Sequence, residues 1–105
     1  MRKAFIVAGK RTPIGSFMGS LSSIKATELG AIAARATLDQ VGLKGGEIDE
    51  IILGNVISAG LGQNPARQVS IGAKIPIEVP NLLINKVCAS GIKTAALGSL
   101  SIKAG

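Results

Sequence analysis

Apolar residues along this chain alternate between short unbroken runs and stretches spaced at helical intervals. Ala4-Phe5-Ile6-Val7-Ala8 is continuous and reads as a first strand. Gly9 to Gly19, with three glycines and Pro13, reads as a loop. Leu29, Ile32, Ala33, Ala36 and Val41 then recur at helical spacing, with Thr27 as the expected N-cap, Glu28 in the first turn and Gly42 at the C-terminal cap. Arg35 and Asp39 stand four apart on that helix and are expected to pair on its solvent side. Lys44 to Glu47 is a turn, and Ile51-Ile52-Leu53, continued by Val56-Ile57, reads as a second, buried strand. Asn64 caps and Pro65 opens a second helix through Arg67, Val69 and Ile71 to about Lys74, stopped by Ile75-Pro76. Leu82-Leu83-Ile84, opened by Pro80, is a third strand, and Ile92, Ala96 and Leu100 place a third helix over Ile92 to Ala104. Strands alternating with helices predict an α/β layer with mostly parallel strands.

Composition adds to this pattern. The 105 residues make one small domain at most, 47% of them hydrophobic, with a mean hydropathy of +0.44, two Phe and neither Trp nor Tyr. Such an interior is filled by Ala, Ile, Leu, Val and Gly, and it is more apolar than a free-standing domain of this size requires. The last helix points the same way: between Cys88 and Gly105 its only charges are Lys93 and Lys103. A helix apolar on nearly every side expects cover on every side, which three strands and two other helices cannot supply. The chain is therefore expected to be part of something larger.

Charge and cysteine content narrow the function classes. Twelve Lys and Arg against six Asp and Glu give +6, with no His. The basic residues are scattered and the aromatic platforms of single-strand binders are absent, so nucleic-acid binding is not expected. No apolar run is long enough to span a membrane. Glu47, Asp49 and Glu50 form an acidic cluster with neither the ligand number nor the histidines of a metal site, so none is assigned. Gly60-Leu61-Gly62-Gln63-Asn64-Pro65 fails as a phosphate loop, since Pro65 stands where the third glycine belongs. The single cysteine excludes an internal disulfide and fits a reducing compartment. The start reads as no signal peptide, because its apolar core is short and Lys10-Arg11 follow at once. A cytoplasmic product is expected, or a mitochondrial one where the start is incomplete.

The residue with chemistry is Cys88. The pattern places it where the third strand turns into the last helix, followed by Ala89, Ser90 and Gly91. Open N–H groups and the positive end of the dipole at a helix start favour a thiolate, which is the nucleophilic form of cysteine. Small neighbours leave room for a carbonyl to approach. The other reading is a buried structural cysteine, and the pattern alone does not choose between the two.

Three stretches carry a resemblance. N-K-V-C-A-S-G-I-K, residues 85–93, is similar to the nucleophile segment of the thiolases. R-T-P-I-G-S-F-M-G, residues 11–19, resembles that family's N-terminal signature, and G-Q-N-P-A-R-Q, residues 62–68, preceded by G-N-V, is a third similar stretch. Together they cover essentially the whole chain. The resemblance implies that residues 1–105 form part of the N-terminal half of a layered α-β-α-β-α fold and end after the nucleophile helix. It implies a thiolase-type acyltransferase, acetyl-CoA C-acetyltransferase, in which Cys88 takes an acyl group from acyl-CoA. The Cys88 N–H would serve as one oxyanion donor. Acyl-CoA and CoA would be substrates, with no further cofactor. The intact enzyme would be a homo-oligomer, dimer or tetramer, with Gln63, Asn64 and Arg67 as candidate interface residues. The family's catalytic His and second Cys have no counterpart here, so the chain alone is expected to be inactive. Two alternatives remain: a related condensing enzyme of the same fold, such as a ketoacyl synthase, and a non-catalytic partner of full-length thiolase subunits.

Overall fold

The computed structural model describes residues 2–105. Their elements, in order, are α1 (Ala26–Val41), a single 3₁₀ turn (Gly45–Glu47), β1 (Ile51–Gly54), α2 (Pro65–Gly72), β2 (Asn81–Ile84) and α3 (Ser90–Ala104). β1 and β2 lie parallel, with Ile51 opposite Asn81 and Gly54 opposite Ile84, so β1-α2-β2 is the strand–helix–strand crossover that parallel pairing demands.

The core forms where α1 and α2 meet beneath this sheet. Leu38 of α1 packs with Ala73, Ile75 and Val79, and Ala34, Leu43, Ile48 and Ile51 close around them. Small residues set the helix–helix distance: a Cβ on Gly30 would fall 2.7 Å from Val69 Cγ2, and one on Gly72 2.8 Å from Ala31 Cβ. Neither position has room for a methyl group, so the two backbones approach as closely as glycine allows. Arg35 pairs with Asp39 at 2.7 Å, as expected, and also donates to the Ala73 carbonyl at 3.3 Å, which ties α1 to the end of α2. Glu47 works locally: its carboxylate accepts the Lys44 N–H at 2.7 Å and closes the turn before β1.

Several expectations need correction. Residues 4–8 form no strand, and Phe5, Ile6 and Val7 are exposed, Ile6 at 91%. A strand needs a hydrogen-bonding partner as well as an apolar run, and among the described residues none lies beside this one. Val56 and Ile57 are outside β1 for the same reason; the Asn55 N–H still bonds the Ile84 carbonyl at 3.1 Å, and the pairing stops there. β1 and β2 are half-buried rather than buried. Thr27 is not the cap of α1. The helix opens two residues earlier, with the Lys25 carbonyl accepting the N–H groups of both Glu28 and Leu29, and Thr27 is packed inside. α2 ends at Gly72, two residues short of the expected Lys74. Gly42 takes the left-handed C-terminal cap at φ 69, and Asn64 with Pro65 opens α2, both as read.

α3 touches the rest of the chain through β1. Ile92, Leu100 and Ile102 face solvent, so the cover that an all-round apolar helix expects is not supplied by the described residues. No helix among the described residues is long and apolar enough to cross a membrane.

Candidate active site

The chain leaves the sheet at Asn85, and the five residues that follow fold into a tight turn. Asn85 anchors it at both ends of its amide. Nδ2 donates to the Val56 carbonyl at 3.1 Å, beside the end of β1, and Oδ1 accepts the Val87 N–H at 2.9 Å. The Lys86 N–H donates to Ser90 Oγ at 2.9 Å, and Ser90 Oγ donates to the Val87 carbonyl at 2.7 Å. The N–H groups of Ala89 and Ser90 bond the carbonyls of Lys86 and Val87, each at 3.1 Å. α3 then begins with no side chain capping it; the Ser90 N–H is taken by the turn, while those of Gly91 and Ile92 have no partner among the described residues.

Cys88 stands at the crest of this turn, two residues before the first helical residue, with its thiol free and exposed. A packed, structural cysteine is not what the fold shows. Four of the five backbone N–H groups from Lys86 to Ser90 are bonded inside the turn. Among the described residues, the fifth, on Cys88 itself, has no partner. Thiol and open donor therefore belong to one residue, an arrangement suited to receiving a carbonyl whose oxygen gains negative charge.

Two positions that hold this turn are not visible as functional in the sequence. Ser90 reads there only as a small residue, yet its hydroxyl is buried and bridges both sides of the turn. Gly54 reads as the end of a strand, yet a Cβ there would lie 2.9 Å from the Ser90 carbonyl carbon and 3.0 Å from Ser90 Cβ. A serine one residue past Cys-Ala, at a helix start, is the signal that could have pointed to the first. Nothing in the local pattern points to the second.

Gln63, Asn64 and Arg67 gather elsewhere. Asn64 Oδ1 accepts the Arg67 N–H at 3.4 Å as the cap of α2, and Nδ2 donates to the Asn81 carbonyl at 3.3 Å. Arg67 donates to the carbonyls of Val79 at 3.2 Å and Ile77 at 2.7 Å, and the Gln63 carbonyl accepts from Gln68 Nε2 at 2.7 Å. Asn64 and Arg67 hold the approach to the first residue of β2 and Gln63 is tied to α2, whereas Cys88 lies beyond the last residue of β2. Replacing Arg67 by methionine removes two charge-assisted bonds while keeping the stem. Local opening should become easier by roughly 1–3 kcal/mol. Amide exchange over Val79 to Leu83 should then speed up about tenfold or more, since 1.4 kcal/mol is a factor of ten; unchanged exchange there would show that Arg67 carries no such work.

An open groove of about 900 Å³ runs between the entry to β1 and α3, lined by Asp49, Glu50, Ile52, Thr94, Ser101 and Ile102 among others; Cys88 is not part of it.

Comparison with known proteins gives the family. A family model described as the N-terminal domain of thiolase matches residues 4–105. The acetyl-CoA acetyltransferase of Pseudomonas aeruginosa is 52% identical over 105 residues, all of this chain and 27% of that protein. The protein of that name from Schizosaccharomyces pombe is 48% identical over 98% of this chain and 26% of its own length, and the mitochondrial one from Xenopus tropicalis is 48% identical over all of this chain and 25% of its own. A further relative, from Gibberella zeae, carries a cytosolic designation. The chain thus spans about a quarter of the length of the curated relatives it matches. With the family's N-terminal domain matched from residue 4 to residue 105, this chain belongs to the thiolase family.

Proposed function

We propose that this chain carries the acyl-accepting segment of an acetyl-CoA C-acetyltransferase, with Cys88 as the nucleophile. One observation carries the reading: the exposed thiol of Cys88 shares its residue with the single N–H that the 86–90 turn leaves unbonded among the described residues. The thiolate sulfur attacks the carbonyl carbon of an acyl-CoA. The carbonyl oxygen becomes an oxyanion facing the Cys88 N–H, the bond to the CoA sulfur breaks, and CoA leaves as its thiolate. An acyl-Cys88 thioester remains. It passes its acyl group to CoA in the degradative direction, or to the α-carbon of a second acetyl-CoA in the synthetic one, releasing Cys88 in either case. The names of the relatives support acetyl as the group carried. The apolar faces left open on α3 and around Phe5 and Phe17 support assembly with further layers or subunits, and we take the intact enzyme to be a homo-oligomer.

The test needs the remaining catalytic parts, which a graft provides: residues 1–105 in place of the matching segment of the Pseudomonas aeruginosa relative. Cys88→Ala in that graft should lower acetoacetyl-CoA thiolysis by at least about 10⁴-fold, as losses of a covalent nucleophile do. A loss of less than tenfold would remove Cys88 from the role.

A further inference from the structure

The turn before α3 holds Val87 where a valine does not settle unaided. At φ +49 a β-branched side chain is crowded against its own backbone. Such conformations persist only where the surroundings over-determine them. Here Val87 is gripped on both sides. Its N–H is taken by Asn85 Oδ1 at 2.9 Å, and its carbonyl accepts Ser90 Oγ at 2.7 Å and the Ser90 N–H at 3.1 Å. Ser90 is 5% exposed, and its hydroxyl accepts a second bond from the Lys86 N–H. Both gripping residues are fixed to β1 in turn: Ser90 by close contact with Gly54, and Asn85 by its bond to the Val56 carbonyl just past the strand.

We propose that Ser90 and Asn85 are positioning residues for acyl transfer. Together they hold Val87 in the left-handed conformation, and that conformation sets where the Cys88 sulfur and N–H point. The inference rests on the reading of Cys88 as the nucleophile. Neither residue is assigned a contact with the thioester; both act through the backbone of Val87. Loss of the Ser90 hydroxyl frees the Lys86 N–H and removes one of two bonds on the Val87 carbonyl. Val87 is then free to return to the extended region that valine prefers, which rotates Cys88 away from its present aim. Glycine occupies positive φ without crowding, so a glycine at position 87 should make the grip largely dispensable. A residue that served only general stability would show no such dependence.

The test uses Ser90→Ala and Asn85→Ala, each with and without Val87→Gly, in the 105-residue chain and in the graft. Two rates are followed by mass at Cys88, acetylation by acetyl-CoA and alkylation by iodoacetamide. Crystal structures of the grafts report the Val87 backbone. Ser90→Ala should slow acetylation by about tenfold to a hundredfold, the scale of a small misplacement of reacting atoms. Alkylation, which needs only an exposed thiol, should stay within about threefold. Adding Val87→Gly should recover most of the acetylation loss. The Asn85 pair should behave alike, which keeps the proposal open to refutation where one variant fails to fold. Acetylation unchanged in Ser90→Ala would overturn it, as would equal losses of both rates with no recovery from Val87→Gly. A parent Cys88 that is alkylated but never acetylated would remove the acyl-transfer reading instead. The structures then decide the grip alone: Val87 still at positive φ in Ser90→Ala refutes it, and Val87 extended there but left-handed once glycine is added supports it.

Discussion

Incubated with acetyl-CoA, the 105-residue chain on its own is expected to form no acetoacetyl-CoA. Joining two acetyl groups asks more than a nucleophile. A proton must leave the α-carbon of the second thioester, and only a base poised within hydrogen-bond reach removes it at a useful rate. The chain has no His, and Cys88 is its only cysteine. Among the side chains of the Cys88 turn, the Ser90 hydroxyl is engaged in the turn itself and the Asn85 amide has no basic atom. Among the described residues, the side chains of Lys86 and Lys93 make no hydrogen bond that would aim either at a carbon acid. The carboxylates of Asp49 and Glu50 line the groove at the entry to β1, which Cys88 does not share. Acylation without carbon–carbon bond formation is the expected pattern, read by following acyl-protein mass and acetoacetyl-CoA in the same sample. Sustained acetoacetyl-CoA formation by this chain alone would overturn the reasoning.

The second large effect is expected at a glycine that carries no reacting group but packs against the start of α3. Gly54→Ala places a methyl carbon 2.9 Å from the carbonyl carbon of Ser90, 3.0 Å from its Cβ and 3.1 Å from its oxygen. Two of these are backbone atoms of the first residue of α3, which no side-chain rotation moves aside. The helix start must shift, and overpacking of this kind costs about 1–3 kcal/mol. The shift falls on Ser90, so the turn that carries Cys88 should loosen with it. We expect amide exchange in the first half of α3 to accelerate about tenfold to a hundredfold, and acetylation of Cys88 to fall alongside. Gly98→Ala is the control, since nothing lies within 4 Å of a Cβ there and alanine favours a helix. Similar behaviour of the two variants would show that the contact between β1 and α3 has no bearing on the turn.

Much of this fold could be read from residue order, and the misses share one cause. Leu82-Leu83-Ile84, Asn64-Pro65 and Gly42 were legible because each acts locally: a short apolar run, a cap with a preset φ, and a residue free to turn left-handed. Residues 4–8 and Val56-Ile57 have the apolar pattern of strands, but pairing depends on what lies alongside, which the pattern does not carry. Thr27 misled for a similar reason: a threonine near a helix start serves equally as cap or as packing, and here it packs. At the site, the neighbours of Cys88 place it at a strand-to-helix junction, which the fold shows, while its reading as a nucleophile comes from the thiolase resemblance. The strain at Val87, the grip of Ser90 and the clearance at Gly54 arise from contacts between β1, the turn and α3, so only the folded chain displays them.

Everything else depends on Cys88 accepting an acyl group from acetyl-CoA. Peptide mass mapping after brief exposure of the chain, and of the graft, to acetyl-CoA tests it most directly. One acetyl group is expected on the peptide that carries Cys88, released by hydroxylamine as a thioester is and absent from Cys88→Ala. Acetyl found only on lysines, with Cys88 unmodified in a protein whose thiol still reacts with iodoacetamide, would contradict it.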